Sequence, residues 1–194
     1  MVRPREFDEE RALDAAMRLF WEKGYEATSL SDLTSAMGIQ RPSVYAAFGD
    51  KKQLFEASLR KYTKFHASQV YNKLHNKPSV REAFRSFFNG LVEEEYREEG
   101  PSHGCFCINT MVELAPHDDK FAILTREHQM YLAAVFQEEL ERGIQSGELS
   151  GHLNAKTMAQ TLVVSLIGIT VMMKSRPERS FIDHSVEAIL EELR

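Results

Sequence analysis

The sequence predicts an all-α protein: an N-terminal three-helix domain built around a helix-turn-helix, followed by a larger helical part. Three observations carry this expectation. Apolar residues recur at three- and four-residue spacing from one end of the 194-residue chain to the other. No stretch alternates with the period of two that a half-buried strand needs. Helix-start and helix-stop chemistry falls at the ends of the periodic stretches.

The elements follow in order. Glu9 to Gly24 is amphipathic, with Leu13, Ala16, Met17 and Phe20 on one face and a glycine stop. Ser29 followed by Asp32 is a capping-box-like pair that starts a second helix, whose apolar stripe is Leu30, Leu33, Ala36 and Met37. Gly38 supplies the permissive backbone of a tight turn and Ile39 plugs it. Pro42 fits the first turn of a third helix, where its missing N–H costs nothing. Val44 and Phe48 of that helix face inward, which leaves Gln40, Arg41, Ser43 and Tyr45 on or near its front. Asp50 with Gln53 caps a long helix toward Leu74, and Pro78-Ser79 breaks the pattern. Further helices are expected over 80–99, 105–114, 118–147, from an Asn154 cap to Lys174, and from near Ser180 onward, with a loop at 100–104.

Residues 29–48 therefore read as a helix-turn-helix, and the exposed polar side chains of its second helix are of the kind that reach base edges and phosphates in a major groove. Together with its flanks the stretch resembles the N-terminal domain of TetR/AcrR-family transcriptional regulators. The resemblance rests on Leu19-Phe20 with Gly24-Tyr25, Thr28-Ser29-Leu30, Gly38-Ile39, Val44-Tyr45 with Phe48, and Lys51 with Leu54. It covers roughly the first 60 residues and is specific because the parts occur in order. It implies a DNA-binding domain over 1–62, an effector-binding and dimerisation domain over 63–194, double-stranded operator DNA as partner, and a homodimer joined through the last two helices. Ser29, Gln40, Arg41, Ser43, Tyr45 and Lys51 are the expected DNA-binding residues. The function expected is that of a sequence-specific regulator, a repressor released by a small-molecule effector.

Composition sets limits. The net charge of −5 is awkward for a DNA binder. Up to Tyr62 basic and acidic side chains are equal in number, so the deficit lies in the remainder. DNA binding must then depend on the placement of a few groups, Arg3, Arg5, Arg41, Lys51 and Lys52, and on helix N-termini facing phosphate. The chain shows no secretory signal, and the apolar run from Leu162 to Met173 falls short of the roughly 18 residues a membrane span needs. A cytoplasmic protein with no membrane partner is expected. Two cysteines are no disulfide framework.

The run from Leu162 to Met173 is apolar almost all round, with Gly168 permitting close approach, so this helix must be buried on several sides, including a two-fold contact. Phe87, Phe88, Phe106, Met111, Met130, Tyr131 and Phe136 are candidates for a ligand cavity, each of which could equally be plain core. Cys105, at a helix start beside His103, is expected to have a lowered pKa. The Gly104-Cys105 pair also resembles a branch of the family with a reactive cysteine here and a lysine on the penultimate helix, a position Lys174 could fill. This gives the alternative of an electrophile- or oxidant-sensing regulator. Two remoter alternatives are a metal site from His103, Cys105, Cys107 and His117, which lacks zinc-knuckle spacing, and a helical enzyme, for which no catalytic constellation is found. Glu93, Glu94, Glu95, Glu98 and Glu99 read as a solvated face. No cofactor and no metal are expected.

Overall fold

Nine α-helices and no strand occur among the residues that the computed structural model describes, which are 7–97, 100 and 102–193. Arg3, Arg5, Glu98, Glu99 and Pro101 of the sequence reading lie outside them. The helices are α1 (Glu9–Lys23), α2 (Leu30–Met37), α3 (Arg41–Phe48), α4 (Lys51–His75), α5 (Val80–Arg97), α6 (Phe106–Glu113), α7 (Asp119–Gln145), α8 (Ala155–Met173) and α9 (Arg179–Glu191).

The caps explain the boundaries. The Asp8 carboxylate accepts from the Glu10 and Arg11 amides and starts α1. Ser29 and Asp32 form a full capping box at α2, and Asp50 and Gln53 exchange the same pair of bonds at α4. Gly38 ends α2 in the left-handed region, at φ 66°, where a side chain would be strained. Asn154 accepts from the Thr157 amide and starts α8.

The chain forms two compact units. The first runs to Lys64 and takes in Cys105–Thr125. Its core is an aromatic hub: Phe55 meets Phe20, Tyr25, Phe106 and Phe121 with centroids 4.8–5.3 Å apart, each edge-on. Helices α1 to α4 do not make this core alone: α6 with the first turns of α7 supplies Phe106, Cys107, Leu114, Phe121 and Leu124. The inward face of α1 centres on Ala12, Ala16 and Phe20, with Leu13 and Met17 on its flanks. In α2 the buried residues are Leu33 and Met37; Leu30 is half-buried and Ala36 exposed, and Ile39, in the turn beyond the helix, is half-buried.

The second unit comprises Phe65–Gly104 and the chain from Arg126 onward. Phe84, Phe87, Phe88 and Phe136 form its centre, with Leu162, Leu166 and Ile169 of α8 and Ile182, Val186 and Leu190 of α9. Glu148 fastens the start of α5, accepting from the Ser79 hydroxyl and the Val80 and Arg81 amides at 2.6–2.9 Å. Helix α8 is 19 residues, longer than the apolar run of the sequence, and by length and mean hydropathy is sufficient to cross a membrane. Its apolarity has a nearer cause, since Leu162, Val163, Leu166, Ile169 and Met173 belong to this core. Gly168 departs from expectation within the chain: it is exposed, and a Cβ there would meet nothing within 4 Å.

Candidate DNA-reading face and sensing residues

Helix α3 is short, and one buried residue, Val44, sets its phase. Gln40, Arg41, Pro42, Tyr45 and Ala46 are exposed, Tyr45 by 51%, and Ser43 is half-buried. No hydrogen bond or ion pair ties the side chains of Gln40, Arg41 or Tyr45 to the described residues, so these groups are available to a partner. Ser29 is exposed, but its hydroxyl is engaged in the capping box, donating to Asp32 Oδ2 at 2.8 Å and accepting from the Asp32 amide at 3.0 Å.

Lys51 stands at the start of α4 with its ammonium 4.3 Å from the Tyr25 ring centroid, a cation–π seat that orients it without neutralising it. Burial and nearby carboxylates raise the Tyr25 phenol, so the ring stays neutral beneath the cation. Lys52 differs from the sequence reading. It is ion-paired with Asp118, and that contact raises the Lys52 ammonium and lowers the Asp118 carboxyl. A cation so compensated is not a free phosphate ligand.

The turn between α1 and α2 is held from a distance. The Glu113 carboxylate of α6 accepts from the Tyr25 amide at 3.0 Å and the Glu26 amide at 2.9 Å. A charged acceptor on two amides is a strong, directional tie. No local sequence signal marks Glu113, Asp118 or Tyr25 for these roles.

Cys105 is the N-cap of α6, not a residue of its first turn. The Tyr62 hydroxyl donates to its sulfur at 3.3 Å. The expected lowering of its pKa is overturned. Burial among apolar atoms pushes the thiol up, and this outweighs the Tyr62 hydroxyl and the Ile108 and Cys107 amides, which pull the other way. Cys107 is buried and pushed up further, first by burial and then by the neighbouring Cys105. Phe106 is buried and Met111 half-buried in the same unit.

The remaining sensing candidates lie in the second unit. Phe87, Phe88 and Phe136 are packed into its core, Phe87 edge-on to both others at 5.4 and 5.7 Å. Met130, Tyr131 and Lys174 are exposed. Between α5 and α9 this unit carries a polar groove of about 530 Å³, lined by Arg85, Asn89, Gly90, Glu93, Arg179 and Asp183 among others and by none of the aromatic or methionine candidates. The sequence reading missed a pair, the half-buried His66 of α4 and the buried His128 of α7, whose Nδ1 and Nε2 atoms are 3.0 Å apart. Burial holds both imidazoles down to about 4, with His128 and Lys73 adding to the effect on His66. Among the described residues no three His, Cys, Asp or Glu side chains gather as a metal site would require. His103 and His117 are both exposed.

Comparison with known proteins agrees with this geometry. Residues 12–58 match the family profile described as bacterial regulatory proteins, tetR family, and residues 77–189 match the tetracyclin repressor-like C-terminal domain. The uncharacterized HTH-type transcriptional regulator YezE of Bacillus subtilis is 32% identical over 98% of both chains. The HTH-type transcriptional repressor ComR of Escherichia coli is 33% identical over 87% of this chain and 80% of its own. Among solved structures, a cysteine-substituted TetR-family regulator CifR in complex with 26-bp operator DNA superposes with a TM-score of 0.84 at 30% identity, over 99% of this chain and all of that one.

Proposed function

The chain belongs to the TetR family of bacterial regulatory proteins, a family of DNA-binding transcription regulators and not of enzymes, and on that premise we propose that it is a cytoplasmic, homodimeric repressor that leaves its operator when a small molecule binds the second unit. The observation that carries the DNA-reading assignment is the turn at the left-handed Gly38, which leads into a helix whose inward face is fixed by Val44 and on which Gln40, Arg41 and Tyr45 are exposed. Arg41, at the start of α3, reaches a guanine edge, with Gln40 and Ser43 as neighbouring polar contacts. Tyr45 and Lys51 hold phosphates, and Ser29 keeps α2 in place as a cap while its exposed edge faces the backbone.

Dimerisation through α8 and α9 is supported by what these helices leave uncovered. Val164, Val171 and Met172 of α8 and Phe181 of α9 are 44–69% exposed, and Gly168 leaves room for close approach. Two copies are needed to occupy half-sites about one helical turn apart. The repressor sign is supported by the similarity to ComR. For release, the effector must bind the two states of the dimer with different affinity. Phe87, Phe88, Tyr131 and Lys174 of the second unit are the residues we assign to sensing. A thiol-sensing reading through Cys105 is favoured by the Tyr62 contact and opposed by burial, so a reversibly bound ligand is the main reading.

The test is binding to a duplex enriched by the protein from random-sequence DNA. Arg41→Ala is expected to cost about 1–3 kcal/mol on that duplex and to relax specificity, whereas Lys51→Ala weakens binding evenly across sequences. Equal losses on selected and random DNA for Arg41→Ala would remove Arg41 from base reading.

A further inference from the structure

The polar residues of α3 are not its outermost ones. At about 100° per residue, Pro42 and Ala46 stand about 160° and 200° round the helix from the buried Val44. They form the crown of α3, and both are exposed. Tyr45 lies on one flank, Ser43 on the other, and Gln40 and Arg41 at the N-terminal end. The line of α3 that projects furthest therefore carries no side-chain donor or acceptor: Pro42 has a ring and no N–H, and Ala46 has one methyl group.

A helix with such a crown can come close to the floor of a major groove, and what it can distinguish there is apolar. The apolar mark on a base edge in the major groove is the C5-methyl group of a pyrimidine, present on thymine and on 5-methylcytosine and absent from cytosine and uracil. We infer that Ala46, with Pro42 beside it, reads a pyrimidine C5-methyl group in each half-site and is a specificity-determining residue of this regulator. The inference rests on α3 being the helix that enters the major groove. It assigns the middle of the contact to shape and methyl burial and leaves the hydrogen-bonded contacts to Arg41 and its neighbours at the end. A consequence is sensitivity to cytosine methylation: where the read base is cytosine, methylation at C5 supplies the group that thymine would.

The experiment uses the full-length protein and the duplex it enriches from random DNA. Each thymine is replaced in turn by uracil, symmetrically in both half-sites. One or two adjacent positions are expected to weaken binding by about fourfold per half-site, the value of one buried methyl group. At those positions cytosine is expected to bind as uracil does, and 5-methylcytosine to recover the loss. In Ala46→Gly the thymine-to-uracil ratio at that position falls to one. Because the readout is a ratio on one protein preparation, a loss of helix stability in the variant cancels. Ala46→Ser loses less helix propensity than Ala46→Gly and replaces the methyl contact with a hydroxyl, so it too loses the ratio. Uniform indifference to uracil overturns the inference, as does a thymine preference that persists in Ala46→Gly. If instead Arg41→Ala leaves affinity for the enriched duplex unchanged, the placement of α3 in the groove fails and the inference with it.

Discussion

The His66–His128 pair makes stability depend on pH in a direction that can be worked out. Two imidazoles joined by one hydrogen bond share one proton between the facing nitrogens. Both are held near 4 by burial, against 6.5 when free, and Lys73 on the same helix adds repulsion to His66. The folded state therefore prefers neutral rings, while the unfolded chain takes up protons below its ordinary value. The stabilisation is complete above pH 6.5 and is lost as pH falls toward 4. For a shift from 6.5 to about 4, the loss between pH 7 and pH 5 is about 2 kcal/mol per histidine, and 2–4 kcal/mol for the coupled pair. At this chain length that lowers the melting midpoint by roughly 5–15 °C. Thermal melts followed by circular dichroism at pH 7, 6 and 5 measure it. The other histidines and the carboxylates contribute to the parent's slope, so the comparison is with a chain carrying His66→Phe and His128→Leu together. Replacing both partners removes the titration without leaving one ring unpaired. The double variant should lose the pair's share of the slope. Identical pH slopes for parent and double variant would refute the argument.

Two further outcomes are expected. Val164→Glu or Gly168→Glu should yield monomers by sedimentation, with native helicity and little operator affinity; Leu166, 6% exposed, is a core residue and a poor probe of the dimer. A monomer that binds the full operator as the parent does would place the contact elsewhere. Iodoacetamide should alkylate Cys105 more slowly than free cysteine at pH 7, and more slowly still in Tyr62→Phe, which loses the donor that favours the thiolate. Rapid modification with release from DNA would revive the thiol-sensing reading.

What was legible in the sequence was local. Capping pairs three residues apart, the left-handed glycine at position 38 and the proline early in α3 each act within a turn of the chain, so Ser29, Asp32, Gly38 and Pro42 could be placed by inspection. What was not legible joins residues far apart. Glu113 meets Tyr25 across 88 positions and His66 meets His128 across 62, and nothing in either neighbourhood announces the other. The Cys105 reading failed for the same reason. The helix start was visible and favours the thiolate, but the apolar surroundings that raise the thiol come from α4 and α6 folding together, and desolvation outweighs a helix end. The first unit likewise contains α6 and the start of α7, because Phe55 packs on Phe106 and Phe121, a demand no single segment states.

The absence of a net positive charge in the N-terminal segment acquires a mechanism from the ion pairs. Lys23 faces Asp32 at 3.7 Å, Lys52 pairs with Asp118, Arg60 with Glu56 and Lys61 with Asp14. Near α3 and the start of α4 this leaves Arg41 and Lys51 as cations with no carboxylate partner among the described residues. Two such groups per protomer give about four in a dimer, and at 0.9 per neutralised phosphate the logarithm of affinity should fall with the logarithm of salt with a slope of about −3 to −4 from these residues. Asp118→Asn frees Lys52 at the start of α4, next to Lys51. The variant is expected to bind random DNA more tightly and to steepen the slope by about 2 for the dimer, one phosphate per protomer. Its preference for the enriched duplex over random DNA should narrow, because the added contact carries no sequence information. Titrations of parent and variant on both duplexes across a salt series measure slope and preference together. An unchanged slope would mean that Lys52 cannot reach phosphate even when unpaired, and that Asp118 serves only to hold the start of α7 against α4. A steeper slope with a narrower preference would mean that the acidic partner sharpens specificity by keeping a cation off the DNA.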